Sequence, residues 1–315
     1  MDKRSEKFDW ADKLSVYLKK VESSKWYRAY IQKLLIHDIE KKEPCICELL
    51  HRNRELENIY KGKRCFILGN GPSLNNINFK YLSKEIVFTV NQLPEHPLFG
   101  ELHSNYHIIT DLQAFGLRYG KDELTPGFTK YSLDLMKSLS EKGNPTLIVP
   151  YQVRRILQQA GIASVLSVKY ICLYKAFVDG YHECDLTKPI SSFSGVVLSA
   201  ILCAMYMGVS EIYLLGCDET FIIDTLECAL ENGSKYGHAY SDPTGMDDKG
   251  YRILANSLGI QNLIASEYRR HAGFEQLYYY CRKNGVHIYN LSVPTLIDSI
   301  PKRKFENVIK NNLEK

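Results

Sequence analysis

Five residues, Gly69-Asn-Gly-Pro-Ser73, follow directly on a short apolar run at 64–68. Glycine permits a tight turn and close backbone approach. Pro72 suits the first turn of a following helix, where a missing N–H costs nothing. Free amides at such a helix start can hold a phosphate. Ser73 adds a hydroxyl, and Asn70 can reach a phosphate, a ribose or a base. The same turn can equally be a plain corner. It has neither the Gly-Lys-Ser/Thr of a P-loop nor the third glycine of the dinucleotide fingerprint.

Three further polar positions stand where neighbouring apolar runs stop. Asn91 follows the run at 86–90, Asp111 the run at 106–110, and Asp218 the run at 211–215. In an open parallel sheet, ligands bind beyond the carboxyl ends of the strands, so Asn70, Asn91 and Asp111 are expected on one edge. Each taken singly is also a common turn former. Ser194-Gly195 opens a long uncharged stretch and offers a hydroxyl and amides at a helix start, or an ordinary N-cap.

The elements that must position these residues are legible as a pattern. Further apolar runs occur at 146–149, 170–174 and 286–290. Short continuous apolar runs bounded by polar loops suit buried parallel strands. Helical patterns lie between several of them, most clearly at 195–207 and 266–283. The expected fold is therefore α/β: a doubly wound, mainly parallel, Rossmann-like sheet with an N-terminal helical extension and an irregular lid segment. The expected organisation is an extension at 1–60, a catalytic domain at 61–300, and a basic C-terminal tail at 301–315. Within the extension, Trp10, Leu14, Tyr17 and Leu18 share a helical face, and Tyr27, Tyr30, Ile31, Leu34 and Leu35 repeat the pattern. The stretch 221–261, with scattered Gly, Pro and acidic residues, has the texture of a lid.

Bulk composition narrows the function classes. The chain has 315 residues and a net charge of +4. Residues 1–63 hold 15 Lys and Arg against 11 Asp and Glu, while the remainder is balanced at 25 of each. A balanced body argues against nucleic acid as a partner. The basic N-terminal and C-terminal segments could meet an anionic membrane surface. There is no signal-peptide pattern at the N-terminus, and the uncharged stretch 195–210 is short for a membrane span. A cytoplasmic protein, peripheral to the inner face of the cell membrane, is the expectation. Cys45-x-Cys47 lacks the second pair of a zinc site, and no Asp-x-Asp occurs anywhere, so no metal is expected.

The blocks Gly69-Asn-Gly-Pro-Ser-Leu74, Val90-Asn-Gln92, Ser194-Gly195 and Glu211-Ile-Tyr-Leu-Leu-Gly-Cys-Asp218 resemble the family 42 bacterial sialyltransferases. They are equally similar to a wider group of polysaccharide-cluster proteins that includes hydroxymethylpterin diphosphokinase-like proteins. The resemblance covers roughly residues 61–300. It implies a GT-A-variant fold and inverting transfer of a sialic-acid-like or other CMP-activated sugar to a cell-surface glycan. The nucleotide sugar would be a co-substrate, with no cofactor, and a homo-oligomer is compatible with it. It implies that Asn70, Asn91, Ser194 and Gly195 hold the CMP part of the donor; Gly69, Gly71 and Ser73 in the glycine turn, and Asp111 and Asp218 at their strand ends, are donor-binding candidates by position. Asp111 stands where the sialyltransferases have asparagine. The family's tyrosine after Gly-x-Asp is missing, since Glu219 and Thr220 follow Asp218. Tyr240 or His238 falls near the second tyrosine position. The family's general base, a histidine before the last helix, corresponds most closely to His271, with His238 as the rival; histidine accepts a proton near neutral pH. Arg269 and Arg270 are candidates to offset leaving-phosphate charge. Pyrophosphoryl transfer to a pterin alcohol, or a non-catalytic nucleotide-binding scaffold, are the alternatives.

Overall fold

The computed structural model describes residues 44–117, 125–175, 184–192, 195–220 and 260–310, with scattered positions between 30 and 41 and between 222 and 226. Seven strands form one sheet: β1 (Arg64–Leu68), β2 (Ile86–Val90), β3 (Tyr106–Ile108), β4 (Thr146–Pro150), β5 (Val168–Ile171), β8 (Glu211–Leu215) and β9 (His287–Asn290). Their order is β5-β4-β3-β2-β1-β8-β9, and every pairing is parallel. The continuous apolar runs follow from burial on both faces. Ile67, Phe88, Ile108 and Leu214 enter one core cluster, and Phe66, Leu68, Leu147 and Leu215 enter the other.

Helices cover both faces, so the sheet is doubly wound, as the sequence pattern predicts. The helix Val196–Tyr206, here α4, is buried at every position from Val197 to Tyr206. A helix that is apolar all round belongs inside, and this one packs under the first core face with α5, Ile260–Lys283. The opposite face takes α2 (Thr125–Ser138) through Met136, α3 (Arg154–Gln159) through Leu157, and α6 (Phe305–Lys310) through Phe305 and Val308. Among the described residues, no helix is long and apolar enough to cross a membrane.

Three elements differ from expectation. The run at 170–174 divides at Cys172. β5 ends at Ile171, and β6 (Leu173–Lys175) pairs instead with β7 (Ile190–Ser192) in a separate two-stranded sheet. The Gly69–Ser73 turn does not lead into an α-helix; it leads into a five-residue 3₁₀ turn, Pro72–Asn76. Asn75, Asn76 and Asn78 are poor helix formers that compete for backbone groups, and Asn78 does so by accepting from the Lys80 amide at 3.0 Å. α5 begins at Ile260, so His271 lies inside the last long helix and not before it.

The end of the 1–60 segment is tied into the body. After α1 (Ile46–His51), Asn53 is buried and its amide donates to the Tyr170 and Leu186 carbonyls at 2.8 and 2.9 Å. The Asn58 and Tyr60 amides donate to Tyr206 O and Met207 O, at the end of α4. The expected helical faces at Trp10–Leu18 and around Tyr27, nearly all of the lid at 221–261, and the tail beyond 310 lie outside the described residues.

Candidate functional site

The strand order reverses direction between β1, which continues to β2, and β8, which arrives late in the chain. Open α/β sheets form a crevice at such a switch point, beyond the carboxyl ends of the strands. Here the two flanking loops are Gly69–Ser73 and Gly216–Glu219. They are packed against each other directly. Gly69 N donates to Leu215 O at 2.8 Å, and Gly71 N donates to Gly216 O at 2.7 Å. A Cβ on Gly69 would lie 2.4 Å from Gly216 O, and one on Gly71 would lie 2.5 Å from the Asp218 carboxylate. These two glycines are therefore explained by contact between loops. Gly216 itself has φ +62, and a Cβ there would collide with the Leu74 side chain.

Asp218 and Ser73 satisfy one another. Asp218, 1% exposed, accepts from the Ser73 amide at 2.8 Å and from the Ser73 hydroxyl. Burial pushes the Asp218 pKa up; the two Ser73 hydrogen bonds oppose this, and Glu219 adds to it. The pair is a latch that holds the glycine loop on the β8 loop. The Ser73 hydroxyl and amide, read from the sequence as groups for a phosphate, are occupied by Asp218.

The asparagines are placed differently. Asn70 sits at the tip of the glycine loop, and its Oδ1 is buried without a hydrogen-bond partner among the described residues. Asn91 follows β2 in the left-handed region, at φ +50, and its amide donates to Ile108 O at 3.1 Å. Asp111 follows β3, exposed, and its carbonyl accepts from the Ala114 amide at 3.2 Å. The structure thus brings Asn70, Asn91 and Asp111 to one sheet edge, in strand order. Buried polar atoms are almost always paired, and the Asn70 oxygen is an acceptor that a donor at this edge could use.

Beside these loops, the start of α4 meets α5. A Cβ on Gly195 would lie 3.6 Å from Arg270 Cγ, which sets Arg270 against the start of α4. Arg270 Nη1 reaches Glu219 at 3.2 Å and Glu267 at 2.9 Å. All three side chains are largely buried, with 19, 14 and 8% exposure. Burial raises the Glu267 pKa; Arg270 opposes this, Glu219 adds to it, and the nearby His271 opposes it. His271 is half-buried and one helical turn beyond Glu267. Arg269 is exposed.

Glu267 was not singled out by sequence reasoning. Its signal was present in the spacing Glu267, Arg270, His271, which places three ionisable groups on one helical face at i, i+3 and i+4. Glu219 drew notice only as the residue standing where a tyrosine was expected. Ser194, His238 and Tyr240 lie outside the described residues. Among the described residues, no group of three or more His, Cys, Asp and Glu side chains could hold a metal ion.

No protein-family profile matches the chain, and no curated protein matches it in sequence. Two solved structures are similar in backbone. The sialyltransferase CstII from Campylobacter jejuni, in complex with a substrate analogue, cytidine-5'-monophosphate, is 16% identical with a TM-score of 0.42; the match covers 77% of this chain and 85% of that one. The MAf glycosyltransferase from Magnetospirillum magneticum AMB-1 is 13% identical with a TM-score of 0.40, over 82% of this chain and 38% of the other.

Proposed function

We propose that the chain is a glycosyltransferase that takes a sugar from a CMP-linked donor and passes it, with inversion and without a metal, to a hydroxyl of a glycan. The observation that carries this reading is the unpaired Asn70 oxygen at the switch-point crevice, one strand from Asn91. A cytosine amine or a ribose hydroxyl would supply such a donor. The motif resemblance described from the sequence supports the choice of nucleotide. In this reading His271 removes the acceptor proton, the hydroxyl attacks the anomeric carbon, and CMP leaves. Glu267, one turn away, stabilises the charged imidazole. Arg270 faces the leaving phosphate across Gly195.

The test is a thermal-shift panel of CMP, CDP, UDP, GDP and ATP, each with and without Mg²⁺. A ligand that binds only the folded state raises its stability by mass action. CMP should stabilise the chain most, without needing Mg²⁺, and Asn70→Ala should remove that effect. A preference for ATP with Mg²⁺ would overturn the reading in favour of pyrophosphoryl transfer to a pterin alcohol.

A further inference from the structure

A groove of about 1440 Å³ lies at the opposite end of the strands from the crevice. Lys63 and Lys84 stand just before β1 and β2, and Lys302, Arg303 and Lys304 approach from the chain after β9; together with Arg64 they line it. One five-residue strand, ~17 Å, separates it from the glycine loop. Two of its cations are already engaged. Arg64 donates to Glu85 at 3.0 Å and to Val308 O at 3.1 Å. The Arg303 guanidinium lies 3.5 Å over the Tyr289 ring. The four lysines are exposed.

Three features constrain what fits there. Size is the first. Small-molecule sites occupy about 300–1,000 Å³, so the groove exceeds what a mononucleotide fills. Shape is the second: a concave surface follows a chain better than a flat bilayer. The third is the mixture of groups. Six cations outnumber the two carboxylates of the lining, Glu85 and Glu211. Glu85 is held by Arg64, and Glu211 Oε2 accepts from the Tyr213 hydroxyl at 2.6 Å. Glu211 and the Asn307 amide still set hydrogen-bonding groups among the lysines, and a polyphosphate has no hydroxyl to give them. A ligand that carries both negative groups and free hydroxyls would use both.

We propose that this groove binds an anionic glycan several sugars long, at a site separate from the crevice. Its use as a hold on the acceptor chain rests on the transfer reading above; its affinity for such a glycan does not. Lys63 and Lys84 on one side, and Lys302 and Lys304 on the other, pair with successive sugar carboxylates. The contacts are exposed and therefore screened by salt.

The experiment uses the full chain and fluorescently labelled polysialic acid, read by anisotropy. The glycan should bind, and binding should weaken as salt rises. Lys302→Glu/Lys304→Glu and Lys63→Glu/Lys84→Glu should each lower affinity by about tenfold, the equivalent of roughly 1.4 kcal/mol for two surface charge contacts reversed. Circular dichroism checks that these variants fold, and Lys→Gln versions replace any that do not. Their stabilisation by CMP should be unchanged, which separates failure of this site from failure of the nucleotide reading. Unaltered glycan binding by both double variants would overturn the proposal. So would equal or tighter binding of neutral dextran, polyglutamate or phosphatidylglycerol vesicles, since the groove would then have no preference for an anionic sugar chain.

Discussion

His107 ties the pH stability of the sheet to the edge that carries Asn91. It lies in β3 with no solvent exposure. Its Nδ1 is 2.9 Å from the Thr89 hydroxyl, and its Nε2 has no hydrogen-bond partner among the described residues. Burial pushes its pKa from 6.5 down to about 3, against a smaller opposing pull from the Asn91 backbone. Once unfolded, the ring takes up a proton as pH falls below 6.5; folded, it stays neutral until about 3. The stability it contributes is therefore complete above 6.5 and drains away as pH falls through that window. At roughly 1.4 kcal/mol per pH unit, the full loss is about 5 kcal/mol, of which roughly 3 kcal/mol falls between pH 7.5 and 4.5. His107→Leu removes this linkage and the unpaired nitrogen together. The Thr89 hydroxyl keeps Ser104 Oγ at 2.9 Å and Tyr106 O at 3.3 Å. The variant should match the parent in urea denaturation at pH 7.5 within about 1 kcal/mol, and exceed it clearly at pH 4.5. Asp218 and Glu267 titrate with the opposite sign. Their raised pKa values give stability that is lost as pH rises, but both chains carry them, so they cancel in the comparison. Equal losses of stability in parent and variant over this interval would refute the reasoning.

Gly71→Ala should lower the melting temperature by roughly 4–8 °C. Its φ of −66 suits alanine, but the new Cβ would collide with Asp218 and Gly216 O. Losing the latch costs about 2–4 kcal/mol, at roughly 2 °C per kcal/mol in a chain of this size. An unchanged melting temperature in calorimetry would show that the loops are free to part. Asn53→Ala should cost about 2–3 kcal/mol by leaving two buried carbonyls unpaired, measured by chemical denaturation. A neutral result would place the start of the body after this residue. His271→Ala should reduce sugar transfer by about 10²–10⁴-fold while CMP still stabilises the variant. Full activity would remove His271 from the reaction and leave His238 as the candidate base.

Much of the sheet could be read directly, because strands buried on both faces leave continuous apolar runs that local pattern detects. The same logic misread 170–174, where the run continues through Cys172 although the hydrogen-bond partner changes. The placement of Asn70, Asn91 and Asp111 on one edge was legible for a topological reason: each follows a strand of a parallel sheet. The Ser73–Asp218 latch was not, because its partners are 145 residues apart and nothing in either neighbourhood encodes the meeting. Glu267 was hidden for the opposite reason. Its partners Arg270 and His271 are close in sequence, but an acid and bases on one turn look like solvated helix charge until burial is known.

The position of β8 has a further consequence for how the molecule comes into being. Strands β1 to β5 lie side by side in the order in which they are synthesised, so this half of the sheet can form as the chain emerges. β1 then keeps an open parallel edge until β8 is made, and Asp218 follows Ser73 by 145 residues. At a synthesis rate of about 5–20 residues per second, that interval is on the order of ten seconds. An unpaired strand edge is a template for other chains, and Cys65, Phe66, Ile67 and Leu68 on β1 are among the most buried residues of the finished protein. The crevice is thus assembled late, and β1, which carries the glycine loop, is the central strand that waits with one edge unpaired until β8 arrives.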